Sequence, residues 1–334
     1  MGFERVPAIA GLGGLLYAYF RGEPTAQPAG QTRESLTELA AYYVIADLVT
    51  HALSPSVPAT ATSLTVRNLA MITVAAEFSA MLDAQNIPHS YVRGVALLPL
   101  YPRADDRSFS DLDLLVPLEY ASKALSIILA RGVKTYERDR ISFLAGYWDG
   151  IQLFLPAPQK ALLELHTDIA PPGRFPHPEV TAPPFNPAGE LPVQALAVIL
   201  HESTHHYQQP VKALCDVLML AARGLDWDAL GGLITARHAW NAVLPFILDL
   251  ERFAPNIAPR GWLARAQESW RARCICSLAD AIHRRGGVYA GGSLWRRSLL
   301  TALALPDWIT AARALWRGFV IRLKHSKIRV EDDE

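Results

Sequence analysis

The sequence predicts an α+β fold: a small mixed β-sheet with flanking helices, followed by an all-α C-terminal region. Three observations carry this. Apolar residues recur at helical spacing before residue 87, short apolar or β-branched runs cluster between residues 134 and 169, and helical patterning resumes after residue 192. Between the last two lie eight of the chain's 24 prolines, from Pro171 to Pro192, which no helix or central strand could hold.

Taken in order, "VPAIAGLGGLLYAYF" is an uncharged run of 15 residues, too short for an ordinary membrane span and interrupted by Gly and Pro. Glu4 spoils the basic start of a signal peptide and no small-x-small cleavage site follows, so the run is expected to pack against the protein. From Arg33 to Leu53, Leu36, Leu39, Tyr43 and Ala46 share one side of a predicted helix. "VRNLAMITVAAEFSAMLDAQN" predicts a second, being free of Gly and Pro. "IPHSYVRG" reads as a turn into a short strand, and after the loop "YPRADDRSFS" comes the strand "DLDLLV". Pro117 then opens a helix at a favourable first-turn position. "ISFLAGYW" and "IQLFLP", joined at Asp149-Gly150, predict a hairpin, and "KALLELHTDI" a further strand. The resulting division is an N-terminal helical segment (1–64), a core with a mixed sheet (65–170), a Pro-rich linker (171–192) and a helical domain (193–330).

Half of the 334 residues (51%) are apolar and only 19% charged, enough for a sizeable core and against extended disorder. The net charge of zero names no partner, but between Arg260 and Val330 fourteen Lys or Arg face three acidic residues. With Trp262, Trp270, Trp295, Trp308 and Trp316 among them, this region is compatible with RNA or an anionic surface, and equally with a solvated helix face over a Trp-containing core. Three cysteines make no disulfide framework, so a reducing, cytoplasmic setting is the expectation.

"HESTHH" contains His201-Glu202-x-x-His205, the zinc-peptidase spacing that puts two imidazoles on one helix face with a carboxylate as general base. The continuation is wrong for it. No Gly or His follows at metzincin spacing, Pro210 breaks the helix a turn later, and Glu251 is the first downstream glutamate.

The stronger constellation is "SDLDLLV". Asp111 and Asp113, two apart on a strand, share one face, while Leu112, Leu114 and Val116 take the other. Side-by-side carboxylates repel unless a cation neutralises them, and hard divalent ions prefer such oxygen ligands. Glu164 in "LLELH" is the candidate third carboxylate, with Leu163 and Leu165 facing inward. Arg93-Gly94 sits at a predicted strand-to-helix turn where backbone N–H groups could meet phosphate, and Arg103 and Arg107 lie in the loop before the aspartates.

The stretch "IPHSYVRGVALLPLYPRADDRSFSDLDLLVP" resembles the uncharacterised nucleotidyltransferase family of the DNA polymerase β-like superfamily, as do "ELHTDI" and "HESTHHYQQPVKALCDVLML" after it. The likeness spans roughly residues 65 to 225 and implies a polymerase β-like nucleotidyltransferase core. Carried over, it implies Asp111, Asp113 and Glu164 as ligands of two Mg²⁺ ions (or Mn²⁺), with Gly94 against the triphosphate and Arg107 in contact with it. Arg93, His166, His205, His206, Lys212 and Asp216 would line or brace the same cleft, and His201 would pack on a neighbouring helix. It implies transfer of NMP from an NTP to a hydroxyl acceptor, whether a small molecule, a peptide or protein side chain, or an RNA end. Two departures stand out. The family has Lys where this chain has Arg93, and the wider superfamily has Gly or Ser where Val95 follows the glycine. Both leave open a catalytically silent binding or scaffold protein on the same fold, with the zinc peptidase a third reading.

Overall fold

The computed structural model describes residues 11–43, 45–54, 63–136, 140, 150–156, 161–169, 175, 190–204, 210–286, 299–300, 302–306, 309–312 and 316. Its fold is α+β: among the described residues, four strands form one mixed sheet beside many helices. The strands are β1 (Ser90–Val92), β2 (Asp111–Leu115), β3 (Gly150–Phe154) and β4 (Leu162–His166), in the order β1-β2-β4-β3. β2 and β4 run parallel, and the outer two pair with them antiparallel. "ISFLAGYW" and Asp149 of the expected hairpin lie outside the described residues, as does most of the Pro-rich stretch.

Before the sheet come α1 (Leu12–Phe20), α2 (Arg33–Tyr42), α3 (Ala46–Leu53) and α4 (Ser63–Asp83). Between β1 and β2 sits the single turn α5 (Gly94–Leu97), and α6 (Ala121–Leu129) follows β2. The helix expected over residues 33–53 is two. Thr32 and Ser35 form a reciprocal cap at the start of α2, and the chain breaks after Tyr43, with the Ile45 N–H turned back to the Ala40 carbonyl. The break lets Tyr43, Ile45, Leu48 and Val49 all enter the core, so burial overrides a continuous helical pattern. Pro117 precedes a short 3₁₀ turn, Leu118–Tyr120, that leads into α6.

The C-terminal helices are α7 (Leu191–Thr204), α8 (Pro210–Ala222), α9 (Trp227–Ala236), α10 (Trp240–Phe253), α11 (Arg260–Glu268) and α12 (Trp270–Gly286). Pro210 stands first in α8, where its missing N–H costs nothing, and residues 205–209 before it lie outside the described residues. Asp226 caps α9 by accepting from the N–H groups of Asp228 and Ala229. Among the described residues, no helix is long and apolar enough to cross a membrane.

Two large apolar clusters result. One face of the sheet, with Leu112, Leu114, Ile151, Leu153, Leu163 and Leu165, packs on α4 and α6. The other cluster joins α1, α2 and α3 to α7, α8 and α10, so the first and last parts of the chain share a core. The remaining sheet face is largely polar, and Leu115 and Val92 meet Ala197 of α7 across it. That polar face is where α7 and α8 can complete a site.

Gly13 marks the closest approach of α1 to the end of α10. A methyl group there would run into the Phe253 carbonyl and the Ala254 side chain. Gly13→Ala should therefore destabilise the protein by about 1–3 kcal/mol through overpacking, despite the gain in helix propensity, read as a lower midpoint in chemical denaturation.

Candidate functional site

Register builds the site. Val92, Asp113, Glu164 and Gln152 lie side by side across β1, β2, β4 and β3. Asp111 and His166 flank this row two residues away on the same face, because side chains alternate along a strand. Like charges directly opposite one another destabilise a sheet, and Asp113 and Glu164 are such a pair.

Cations gathered around the row offset that cost. The Arg93 guanidinium donates to Asp113 Oδ1 in a short contact. His166 Nε2 lies 3.3 Å from the same oxygen and 3.4 Å from Glu164 Oε2. Gln152 donates to the other Glu164 oxygen at 2.9 Å. Burial acts against the Asp113 carboxylate, but Arg93, His166 and Arg107 outweigh it and hold its carboxyl below the usual range. Burial likewise opposes the Glu164 carboxylate, and His166 reverses the balance. Burial disfavours the His166 cation, yet Asp113 and Glu164 raise it to about 9. Gly150 makes room for the ring, since a Cβ there would fall 2.6 Å from His166 Nδ1.

Asp111 is different. Burial, then Asp113 and Glu164, push its carboxyl up, and among the described residues it forms no ion pair at contact distance. The like charges that help to raise Asp111 are ones a bound cation would relieve. Asp113, Glu164 and His166 offer donor atoms all within 4.8 Å of one another, an arrangement that could hold a metal ion. Carboxylate oxygens beside Asp111 suit a hard divalent cation, which would compete with Arg93 for Asp113.

Arg93 is held in place from both ends. Its backbone has φ 57° and ψ −130°, a left-handed conformation that a non-glycine residue rarely adopts. Buried Gln194, on α7, accepts the Arg93 N–H at 3.0 Å and donates to the Tyr91 carbonyl at 3.2 Å. Gly94 itself has a negative φ, is buried, and opens α5 beneath Phe109.

Arg107 lies deeper. Its Nε and Nη2 donate to the two oxygens of Asp216 at 2.6 and 2.8 Å, and the Tyr101 hydroxyl donates to Asp216 at 2.6 Å. Nη1 of Arg107 is buried and makes no hydrogen bond among the described residues. Asp216 thus positions Arg107 with one donor edge to spare. One turn earlier on α8, Lys212 is lowered to about 8, chiefly by burial and then by Arg107, against the pull of Asp216, Asp111 and Asp113. Arg103 instead turns to Asp105, 3.3 Å from its Nε. His205 and His206 lie outside the described residues. His201 and Glu202 are on α7, and neither belongs to a group that could hold a metal among the described residues.

Sequence reasoning did not single out Gln194, Gln152 or Tyr101. The signal for Gln152 was present in the strand alternation, which puts it on the polar face of β3. Nothing local marks Gln194, whose role depends on α7 meeting β1.

The profile of the uncharacterised nucleotidyltransferase family matches residues 40–250, more than half of the chain. The protein belongs to this family. The match runs from just before α3 into α10, so it takes in the whole sheet and both helices that face it. No curated protein and no solved structure matches the chain.

Asp216→Asn should cost about 3–5 kcal/mol, because it leaves the buried Arg107 guanidinium without its counter-charge. Tyr101→Phe should cost only about 1 kcal/mol, since Arg107 keeps its partner. Chemical denaturation of the two variants beside the wild type measures both, and equal losses would contradict the assignment.

Proposed function

We propose that the protein is a divalent-metal-dependent nucleotidyltransferase that moves NMP from an NTP to a hydroxyl acceptor. The observation that carries this reading is the carboxylate face: Asp113 and Glu164 in register on parallel strands, with Asp111 beside them and raised by burial and then by their charge. Asp111, Asp113 and Glu164 would hold Mg²⁺, or Mn²⁺, with His166 at hand as a nitrogen donor. When bound, the metal supplies neutralisation of the charge on the triphosphate and the attacking oxygen.

In this reading the cations of the chain bind the donor. Arg107, through its spare Nη1, and Lys212 approach the phosphates from α8 and the loop before β2, and Arg93 does so once released from Asp113. His205 and His206 are assigned to the same cleft on the family resemblance, and Gly94 to the turn beneath the triphosphate. The acceptor hydroxyl attacks the α-phosphorus, a new P–O bond forms, and the bond to the β-phosphate bridging oxygen breaks. Pyrophosphate leaves, and the hydroxyl proton passes to Glu164 or to a neighbouring base. Positioning and charge neutralisation account for most of the rate. The acceptor enters only as a hydroxyl, of a small molecule, a peptide or protein side chain, or an RNA end. The chain is assigned to the cytoplasm on its cysteine usage.

One observation favours a second reading, a catalytically silent binding protein on this fold: Arg93 already neutralises Asp113 as a metal would. Calorimetry with Mg²⁺ or Mn²⁺ and each NTP separates the two. We expect metal-dependent NTP binding by the wild type, and a loss of at least about a hundredfold in Asp113→Asn, with pyrophosphate release falling in parallel. NTP binding that is indifferent to metal, or absent, would favour the silent protein.

A further inference from the structure

A second polar cluster lies away from the carboxylate face, where α1, α3 and the loop before β2 meet. His51, Asp105 and Asp106 are all buried, and each offers a donor atom within 4.8 Å of the others. Their hydrogen bonds sort them into two roles. Both oxygens of Asp106 are occupied: Oδ1 lies 2.7 Å from His51 Nδ1, and Oδ2 accepts from the Tyr19 hydroxyl and the Arg103 N–H, each at 3.0 Å. A carboxylate on Nδ1 sets the imidazole tautomer and turns the Nε2 lone pair outward, as it does for histidines that ligate metals.

That Nε2 faces Asp105 Oδ2 at 3.8 Å. The separation is too long for a hydrogen bond. It is within the roughly 4 Å that two donors, each about 2.0–2.2 Å from one ion, can span. Asp105 Oδ2 is fully buried and accepts no hydrogen bond among the described residues, while Oδ1 of the same carboxylate takes Arg103 Nε at 3.3 Å. A buried carboxylate oxygen left without a partner is costly. Here it faces the other imidazole nitrogen, His51 Nε2.

We infer that His51 Nε2 and Asp105 Oδ2 form a second metal site, for a divalent first-row transition ion such as Zn²⁺, with Asp106 orienting the imidazole and water completing the shell. The site pairs one imidazole nitrogen with one carboxylate oxygen, a mixed donor set that suits a first-row transition ion better than Mg²⁺. A metal here would fasten α3 to the loop that delivers Arg107, a structural tie rather than a catalytic one. The inference does not rest on the proposed nucleotidyl transfer.

The test uses the full chain. Purified protein is equilibrated with Zn²⁺, freed of excess metal by gel filtration, and assayed for bound zinc by mass spectrometry of the elements, with Mg²⁺ as the control. Two variants resolve the sites. Asp113→Asn/His166→Gln disables the sheet cluster and leaves this one intact, and it should retain about one equivalent of zinc and unfold at higher temperature with zinc than after chelation. Asp105→Asn, which keeps the side-chain shape, should hold about one equivalent less than the wild type. Retention of no zinc by Asp113→Asn/His166→Gln overturns the site, whether or not Asp105→Asn folds. So does equal retention by Asp105→Asn and the wild type.

Discussion

The buried pair between Arg107 and Asp216 is the interaction on which the rest of this architecture hangs. Arg107 ends the loop that leads into β2, and Asp216 lies on α8, so the pair joins the sheet layer to the helical body. Two buried ions need hydrogen bonds beyond their own contact, and Tyr101 supplies one to Asp216. The loop is held from its other side too, by Asn68 of α4, whose amide donates to the Ala104 and Arg107 carbonyls. A loop pinned at both walls delivers a charged side chain to a fixed place, as a rigid strand would. With that geometry set, β2 starts where its aspartates meet Glu164 rather than one residue away, where a slip would bury them.

The sheet has one apolar face and one charged face, and the two serve different ends. Leucines at alternate positions of β2, β3 and β4 close the core on α4 and α6, while the intervening positions assemble acids, an imidazole and an amide beneath α7. On the charged face, Asp113 is met by Arg93 and His166, and Glu164 by His166 and Gln152. Gln194 extends the same logic to the backbone, since the left-handed turn at Arg93 is entered from a strand end whose Tyr91 carbonyl and Arg93 N–H are both bound by a buried amide.

Much of this was legible in the sequence, and unevenly so. Alternation in "DLDLLV" and "LLELH" located two strands and the facing of their acids, because period-two patterning is a local property. The acids' mutual alignment depends on parallel register, which no single strand encodes. Periodicity marked residues 33–53 as helical but hid the break after Tyr43, since a break that lets both halves bury apolar residues leaves the pattern nearly unchanged. Arg107 was visible as a cation before the aspartates, whereas its binding to Asp216 spans more than a hundred residues. Asp216 was expected only to line or brace the cleft, and its geometry makes it the anchor of an arginine. The networks around His51 and Gln194 left no trace, because their members come from segments that only the tertiary fold brings together.

The shared core of the first and last helices also bears on how the chain is made. α1 is synthesised early, but its apolar side is closed by α8 and α10. At about 5–20 residues per second, the roughly 200 residues between them take about 10–40 s to emerge from a ribosome. Throughout that interval Leu12, Leu15, Leu16 and Phe20 lack the partners that α8 and α10 supply, although the sheet and α4 can already close on themselves. Co-translational folding would thus begin in the middle of the chain and finish at its two ends together, with α1 a natural client for a chaperone that shields apolar helices.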